Sequence, residues 1–175
     1  MKLDTRRLEA GDACETQFNK QTWQVNYLYG LDDLCKEYIK SDFTVLELGT
    51  HNGVSTELFA SYAKKVVGVD WLYQEPMLQA INRNPNIEFH NMTFEKWSWK
   101  NKDKFDLIYI DGDHSATCVK EDILLAEQVV KPGGFISGHD FDQDAVNIMV
   151  TEHFKDRVDE IKLFRDSSWL IKSKT

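Results

Sequence analysis

Four short apolar runs that end at or beside an acidic residue constrain the fold of this chain most strongly. They are TVLEL (44–48), KVVGVD (65–70), FDLIYID (105–111) and GFISGHD (134–140). A further run, IEFHN (87–91), lies between the second and the third. Helical patterns separate the runs, and continuous apolar runs are typical of strands that are buried on both faces. The alternation predicts a parallel sheet with helices on both sides.

The C-terminal part departs from this alternation. After a helix predicted at about 143–154, the segments VDEIKLF and SWLIKSK are separated only by three residues, 165–167. Two strands that lie so close in sequence pair antiparallel. We therefore predict an α/β fold, a Rossmann-like three-layer sandwich whose seven-stranded, mostly parallel sheet ends in an antiparallel hairpin. A long helix is predicted over 115–130, with residues 131–134 ending it.

Length and composition indicate one domain. The chain has 175 residues, of which 42% are hydrophobic and 12% aromatic, enough to fill one core. We expect residues 1–40 to form an N-terminal helical segment or arm, with a helix within 23–40. Residues 41–175 are expected to form the sheet domain.

Charge and cysteine content bear on partners and location. The net charge of −8 disfavours nucleic acid as the main partner, because proteins that bind many phosphates carry a basic face. We predict no membrane span, since no apolar run approaches the ~20 residues needed, and no signal peptide. Three widely spaced cysteines fit a reducing compartment, so we expect a cytoplasmic protein.

The loop after the first strand, ELGTHNGVS (47–55), has the features of a ligand site. Gly49 and Gly53 allow a sharp turn and a close approach of the backbone to a ligand. A helix that begins near Val54 offers free N–H groups. Asp70 follows Gly49 by 21 residues, a spacing that suits the two hydroxyls of a ribose. Together these residues predict an adenosine-type cofactor at the carboxyl edge of the sheet.

The same loop argues against phosphate-containing cofactors. A dinucleotide fold needs G-x-G-x-x-G, but His51 stands at the middle glycine position. We expect Glu47 to direct a negative charge into the pocket, which disfavours a pyrophosphate and favours a sulfonium or ammonium group. A nicotinamide-dependent oxidoreductase is therefore the disfavoured alternative.

These motifs, in this order, resemble those of class I S-adenosylmethionine-dependent methyltransferases. VLELGTHNGVST resembles motif I, VVGVD motif II, FDLIYIDGDH motif IV and KPGGFISGHDF the strand-five region, and the likeness covers roughly 43–172. The chain is most similar to small bacterial O-methyltransferases that act on sugars, natural products and catechols. The resemblance implies S-adenosylmethionine as the cofactor of a domain over 41–175, and a small-molecule hydroxyl as the methyl acceptor.

The resemblance also implies a cofactor site along the strand ends. Its residues are Glu47, Gly49, Thr50, His51, Gly53, Ser55, Asp70, Trp71, Asn91, Thr93, Asp111 and His114. Asp70 is implied to hold the ribose hydroxyls and Trp71 to lie against the adenine. Many relatives carry an acid where this chain has Thr93. The adenine contact after the third strand therefore stays open between Asn91, Thr93 and Glu95.

Two acids at neighbouring strand ends raise the question of a metal. Asp111 and Asp140 are expected at one rim, where a cation such as Mg²⁺ would offset their repulsion. The third oxygen ligand of the relatives is either missing here or replaced by His139, and an imidazole would shift preference toward Mn²⁺, Fe²⁺ or Zn²⁺. A metal site at Asp111, His139 and Asp140 and a metal-free reaction both stay open.

His114, three residues after Asp111, is implied to be the general base, because that position holds the base in similar enzymes. An imidazole of near-neutral pKa suits the removal of a hydroxyl proton. Two other functions stay open: an N-methyltransferase of the same fold, and a non-catalytic subunit that binds S-adenosylmethionine. A homo-oligomer in which a neighbour completes the acceptor site is also compatible with so short a chain.

Overall fold

One seven-stranded sheet organises the chain. The structure is a computed structural model that describes residues 29–174. Its strands are β1 (Thr44–Leu48), β2 (Lys65–Asp70), β3 (Ile87–Asn91), β4 (Phe105–Ile110), β5 (Val130–Gly138), β6 (Lys162–Leu163) and β7 (Trp169–Lys172). They lie in the order β3-β2-β1-β4-β5-β7-β6. The first five run parallel, whereas β7 pairs antiparallel with β5 and β6. The predicted Rossmann-like sheet with its C-terminal antiparallel hairpin is confirmed.

Helices connect the strands as predicted, except that the short helix between β3 and β4 was not predicted from the sequence. They are α1 (29–38), α2 (Val54–Tyr62), α3 (Glu75–Arg83), α4 (Phe94–Ser98), α5 (Ala116–Val129) and α6 (Asp144–His153), followed by a 3₁₀ helix at Lys155–Glu160. Helix α1 is part of the helix expected within 23–40, and the rest of the predicted arm lies outside the described residues. Between residues 29 and 174, no helix has the length and apolar character needed to cross a membrane.

Both faces of the sheet are covered by hydrophobic cores. Successive strand residues point to opposite faces, so Val45 packs in the core that contains α1 and α2, and Leu46 in the core that contains α5 and α6. Leu31 and Leu34 of α1 are fully buried in the first of these cores. This two-sided burial explains why the parallel strands appear as continuous apolar runs in the sequence.

The structure corrects two predicted strand boundaries. Strand β5 begins at Val130 and ends at Gly138, because its ladder with β4 shifts register between Phe105 and Leu107 and accommodates residues 131–134. The predicted strand over VDEIKLF is reduced to Lys162–Leu163. Its first half forms the 3₁₀ helix, in which Arg157 donates to the Glu160 carboxylate and to the Lys172 carbonyl. These bonds hold that segment across the end of β7.

Candidate functional site

The loop between β1 and α2 depends on its two glycines. Gly49 and Gly53 have φ angles of 85° and 78°, in the left-handed region that favours glycine. A Cβ atom on Gly49 would collide with the backbone carbonyl of Asp111. One on Gly53 would lie 2.7 Å from the sulfur of Met77 in α3. The spacing of the glycines therefore lets the loop pack against β4 on one side and α3 on the other.

Asp70 fastens this loop to the end of β2. Its Oδ2 accepts the backbone N–H groups of Thr50 at 2.9 Å and His51 at 2.8 Å, and its Oδ1 accepts that of Leu72 at 2.8 Å. An ionised carboxylate offers about four acceptor positions. Asp70 can therefore still accept a ligand hydroxyl, while the three backbone bonds fix its orientation.

Glu47 does not present a charge to the pocket, which corrects the expectation for this residue. Its carboxyl group is fully buried and accepts the hydroxyls of Ser55 and Thr56 at the start of α2. Burial raises the pKa of Glu47 to about 8, and the nearby Asp111 and Asp70 add to the effect. The neutral carboxyl group of Glu47 thus joins β1 to α2. The Ser55 hydroxyl, predicted to contact the cofactor, donates to Glu47.

A cavity of about 360 Å³ opens at the carboxyl ends of β1, β2 and β4. The predicted cofactor residues that line it are Gly49, His51, Asp70, Trp71, Thr93 and Asp111. Leu48, Val69, Met92 and Phe94 provide apolar walls. The position agrees with the general rule that open α/β sheets bind ligands at the carboxyl ends of their strands.

The cavity is strongly acidic. Four carboxylates line it, from Asp70, Asp111, Asp113 and Asp122. A concentration of one sign of charge in a cleft attracts ligands of the opposite sign. The lining therefore suits a cationic ligand such as a sulfonium and opposes a pyrophosphate, although the expected contribution of Glu47 to this field is absent.

The polar residues after β3 are engaged within the chain. The side-chain amide of Asn91 donates to the backbone carbonyls of Asp70 at 3.1 Å and Trp71 at 3.0 Å. The Thr93 hydroxyl caps α4 by accepting the backbone N–H of Lys96 at 3.4 Å. Glu95 is exposed on α4 and lies outside the cavity lining. This segment places no acidic side chain in the cavity.

A second group of side chains adjoins the cavity at the ends of β4 and β5. Asp111, His139 and Asp140 each bring a potential ligand atom within 4.8 Å of the other two. The Nδ1 atom of His139 lies 3.1 Å from Oδ2 of Asp140 and 3.7 Å from Oδ1 of Asp111. Two carboxylates and an imidazole nitrogen form a donor set that fits a divalent transition-metal ion. Asp111 belongs to this cluster and to the cavity wall, so the two sites share one residue.

His114 faces the same carboxylates. Its Nε2 lies 2.9 Å from Oδ2 of Asp140 and 3.8 Å from Oδ1 of Asp111. The carboxylates of Asp111 and Asp140 raise the pKa of His114 to about 10, well above the near-neutral value expected from the sequence. With these neighbours the ring is an imidazolium at neutral pH, and its two N–H groups are donors.

Asp166, which no motif marks, lies behind His139. Its Oδ2 is 4.0 Å from Nε2 of His139, and its carboxylate accepts the backbone N–H and the hydroxyl of Ser168 at 3.1 and 2.8 Å. The residue is fully buried, and burial raises its pKa. Gly30 of α1 leaves room for it, because a Cβ atom there would collide with the Asp166 carboxylate. A turn between two strands gives no sequence signal for such a contact.

Comparison with known proteins places the chain in a family. A family model described as a methyltransferase domain matches residues 46–141. Among curated proteins, the uncharacterised protein R132 of Acanthamoeba polyphaga mimivirus is 29% identical over 126 residues. That match covers 63% of this chain and 57% of the viral protein, so the chain spans little more than half of the relative's length.

Solved structures share the fold at low sequence identity. An rRNA methylase from Streptococcus thermophilus has a TM-score of 0.61 and 16% identity, and the match covers 79% of this chain and 90% of that one. SMU.1697c, a proposed methyltransferase from Streptococcus mutans solved with S-adenosylhomocysteine, has a TM-score of 0.63 and 12% identity, covering 81% and 94%. N-methyltransferase NodS from Bradyrhizobium japonicum has a TM-score of 0.56 and 16% identity, covering 87% and 93%.

The family match spans more than half of the chain and extends from β1 to the residue after Asp140. It includes the glycine loop, Asp70 and the cluster at the ends of β4 and β5. The acidic cavity at the sheet edge suits the positively charged cofactor of that family. The chain therefore belongs to the methyltransferase-domain family and has the Rossmann-like fold of S-adenosylmethionine-dependent methyltransferases.

Proposed function

We propose that this methyltransferase acts on a hydroxyl group of a small molecule, such as a sugar or another natural product, with the help of a divalent cation. The observation that carries the proposal is the position of His114 and Asp140. They meet 2.9 Å apart beside Asp111, which is also part of the cofactor cavity. A proton acceptor, a cation-binding set and the methyl donor would thus share one edge of the sheet.

Methyl transfer to an alcohol needs two things from the protein. The acceptor oxygen must lie in line with the sulfonium methyl group, and its proton must leave as the new bond forms. His114 is proposed as the proton acceptor in the cation-bound state. A cation at Asp111 and Asp140 would take up the negative charges that otherwise keep the ring protonated, and so leave the imidazole free to accept a proton. Asp111 and Asp140 orient the ring, since its Nε2 faces both carboxylates.

The residues proposed to hold the cation are Asp111, His139 and Asp140. When bound, the cation would offset the charge of the two carboxylates and make the acceptor hydroxyl more acidic. Asp166 is proposed to orient His139 from behind. A carboxylate that faces the outer nitrogen of a histidine fixes the tautomer and leaves the other nitrogen for a metal. Here Nε2 faces Asp166, and Nδ1 faces the two carboxylates.

Charge supports a small acceptor in place of a nucleic acid. The chain carries a net charge of −8, and the cavity and the cluster beside it are acidic. A polyphosphate backbone would be repelled from this edge of the sheet. RNA methylation is the property named for some proteins of similar fold, and here it serves as the alternative outcome of the test.

The test is a methylation assay with labelled S-adenosylmethionine and separate panels of alcohols, amines and RNA. Each panel is run in EDTA and with added Mg²⁺, Mn²⁺ or Zn²⁺. We expect an alcohol to be methylated in a cation-dependent way, and His114→Gln to reduce turnover by about 10²-fold or more. His153→Gln is the matched control, because His153 pairs with Glu127 on the α5–α6 side of the sheet.

Four outcomes would contradict the proposal. Cation-independent methylation of an amine would indicate an N-methyltransferase, and methylation of RNA would exclude the small acceptor. Cofactor binding without turnover on any panel would indicate a non-catalytic subunit. Turnover by His114→Gln within a few-fold of wild type would remove that residue from the proton transfer.

A further inference from the structure

We propose that Asp122 of helix α5 recognises the exocyclic amine of the cofactor's adenine ring, and so determines the specificity of the site for an adenine base. The inference rests on S-adenosylmethionine as the cofactor and on the proposed position of its methyl group beside Asp111, and it requires no particular acceptor and no cation. It answers a question that the sequence leaves open, since the acid that many relatives carry after the third strand is replaced here by Thr93.

The position of the adenine follows from the two ends of the cavity. In the proposed function, the methyl group lies near Asp111, beside the cluster at the ends of β4 and β5. Asp70, at the end of β2, is oriented by three backbone N–H groups and can accept the ribose hydroxyls. Strand β1 separates β2 from β4 in the sheet. Because the base is bonded to the ribose, we place it beside Asp70, in the remaining part of the cavity.

That remaining part has the walls of a slot for a flat aromatic base. Val69, Met92 and Phe94 line it with apolar atoms. Cys118, in the first half of α5, lines the same cavity as Met92 and Phe94. Asp122 lines the same cavity from that helix.

Asp122 lines the cavity from helix α5, whereas Asp70 lies at the end of β2 and Asp111 and Asp113 lie in the loop after β4. Its Oδ2 would lie 3.7 Å from a Cβ atom on Gly112, which places the carboxyl group against the loop that follows β4. Within residues 29–174, no N–H or O–H group donates a hydrogen bond to it. Burial raises the pKa of Asp122 to about 7, with Glu121 and Asp113 adding to the effect. A carboxyl group in such surroundings gains from any donor that a ligand supplies.

The residues after β3 do not offer this interaction. The Asn91 amide donates to two backbone carbonyls, and the Thr93 hydroxyl accepts from the first turn of α4. The exocyclic amine of adenine is a hydrogen-bond donor and needs an acceptor at the edge of the ring. Asp122 supplies one. Above pH 7, where Asp122 is ionised, a base with a carbonyl at the same position would place acceptor against acceptor, and a site built for a donor rejects such a ligand strongly.

The experiment compares two ligands by calorimetric titration of the full chain. One is S-adenosylhomocysteine, and the other is S-inosylhomocysteine, in which a carbonyl replaces the adenine amine. Asp122→Asn and Asp122→Ala are the test variants. Glu121→Gln is the matched control, because Glu121 is the exposed neighbour on the same helix. Thermal unfolding of each variant establishes that it is folded.

We expect wild type and Glu121→Gln to prefer S-adenosylhomocysteine by about 10-fold or more. Asp122→Asn should reduce this preference by about 10-fold, since its amide can donate to the inosine carbonyl, and Asp122→Ala should remove most of it. An unchanged preference in the folded Asp122 variants would overturn the inference and leave the cofactor assignment intact. Failure of folded wild type to bind S-adenosylhomocysteine would overturn both.

Discussion

Oδ2 of Asp140 lies 2.9 Å from Nε2 of His114 and 3.1 Å from Nδ1 of His139. The Asp140 carboxylate therefore contacts two imidazole rings that come from different parts of the chain. His114 belongs to the loop after β4, whereas His139 and Asp140 follow β5. The parallel pairing of β4 and β5 brings them together, because the carboxyl ends of adjacent parallel strands meet at one edge. The charge state of His114 consequently depends on Asp140.

The first prediction concerns the titration of His114. Since Asp111 and Asp140 raise its pKa to about 10, the ring should stay protonated throughout the range from pH 6 to 8 in protein treated with EDTA. Its proton resonances in an NMR titration should show no transition in that range. Asp111→Asn and Asp140→Asn should each lower the pKa, and the double variant should bring it toward the ordinary value of about 6.5 and the transition into the range.

The raised pKa of His114 also predicts how the stability of the fold changes with pH. A histidine whose folded pKa is raised stabilises the fold fully below its ordinary pKa, and this contribution is lost as the pH rises through about 10. A wild-type His114 transition near pH 6.5 would show that the two carboxylates do not act on the ring in this way. The His153→Gln variant identifies the resonances of His153, so that they are not mistaken for those of His114.

The second prediction concerns Glu47. Its folded pKa is about 8, against an ordinary value of 4.5, so the folded state holds a proton that the unfolded state releases between these two pH values. Stability should therefore fall as the pH rises from 5 to 8, by at most about 1.4 kcal/mol per pH unit from this group. Glu47→Gln, which is neutral at all pH values, should remove that part of the slope.

Urea denaturation at three pH values across this range measures the effect. Glu152→Gln is the control, since Glu152 is exposed on α6. Equal slopes for wild type and Glu47→Gln would mean that the buried carboxyl group does not retain its proton.

Local motifs explain why much of the fold and the site could be predicted. Gly49, Asp70 and Asp111 each stand at the end of an apolar run, and a parallel sheet brings such ends to one edge. The direction of the Glu47 side chain was not predictable in this way. Its partners Ser55 and Thr56 reach it only after α2 has packed on the sheet.

The contacts of Asp166 and Asp122 also could not be predicted from the sequence. Asp166 reaches His139 because the hairpin of β6 and β7 packs beside β5, and α1 leaves space at Gly30. Asp122 reaches the cavity because of the rotation of α5 about its axis. Neither contact has a fixed spacing in sequence, since each depends on how one element packs against another.

The third prediction concerns the contact between Gly30 and Asp166. Alanine is a better helix former than glycine by about 1 kcal/mol, yet Gly30→Ala should destabilise the protein by about 1–3 kcal/mol. The cause is the collision of the new Cβ atom with the Asp166 carboxylate. Chemical denaturation of the single variants and of the double variant with Asp166→Ala measures the coupling.

In the Asp166→Ala background, the collision is absent, and Gly30→Ala should then be neutral or stabilising. The same destabilisation in both backgrounds would show that Asp166 is not the group that requires glycine at position 30.

The fourth prediction concerns Asp70. Asp70→Asn removes one of the two oxygens that accept the backbone N–H groups of Thr50, His51 and Leu72. Loss of a buried acceptor should cost about 1–3 kcal/mol of unfolding free energy, and the affinity for S-adenosylhomocysteine should fall by about 10-fold or more. Asp159→Asn, at an exposed position, is the control. Unchanged affinity in folded Asp70→Asn would remove Asp70 from the cofactor site.

The most direct test of the central claim is titration of the purified chain with S-adenosylhomocysteine and, separately, with Mn²⁺, using wild type and Asp140→Asn. The claim is that a cofactor cavity and a cation site share the edge formed by β4 and β5. It predicts saturable binding of both ligands to wild type. It also predicts that Asp140→Asn loses Mn²⁺ binding, followed by electron paramagnetic resonance, while cofactor binding is retained. Folded wild type that binds S-adenosylhomocysteine but no divalent cation would contradict the shared site, and failure to bind the cofactor would contradict the account as a whole.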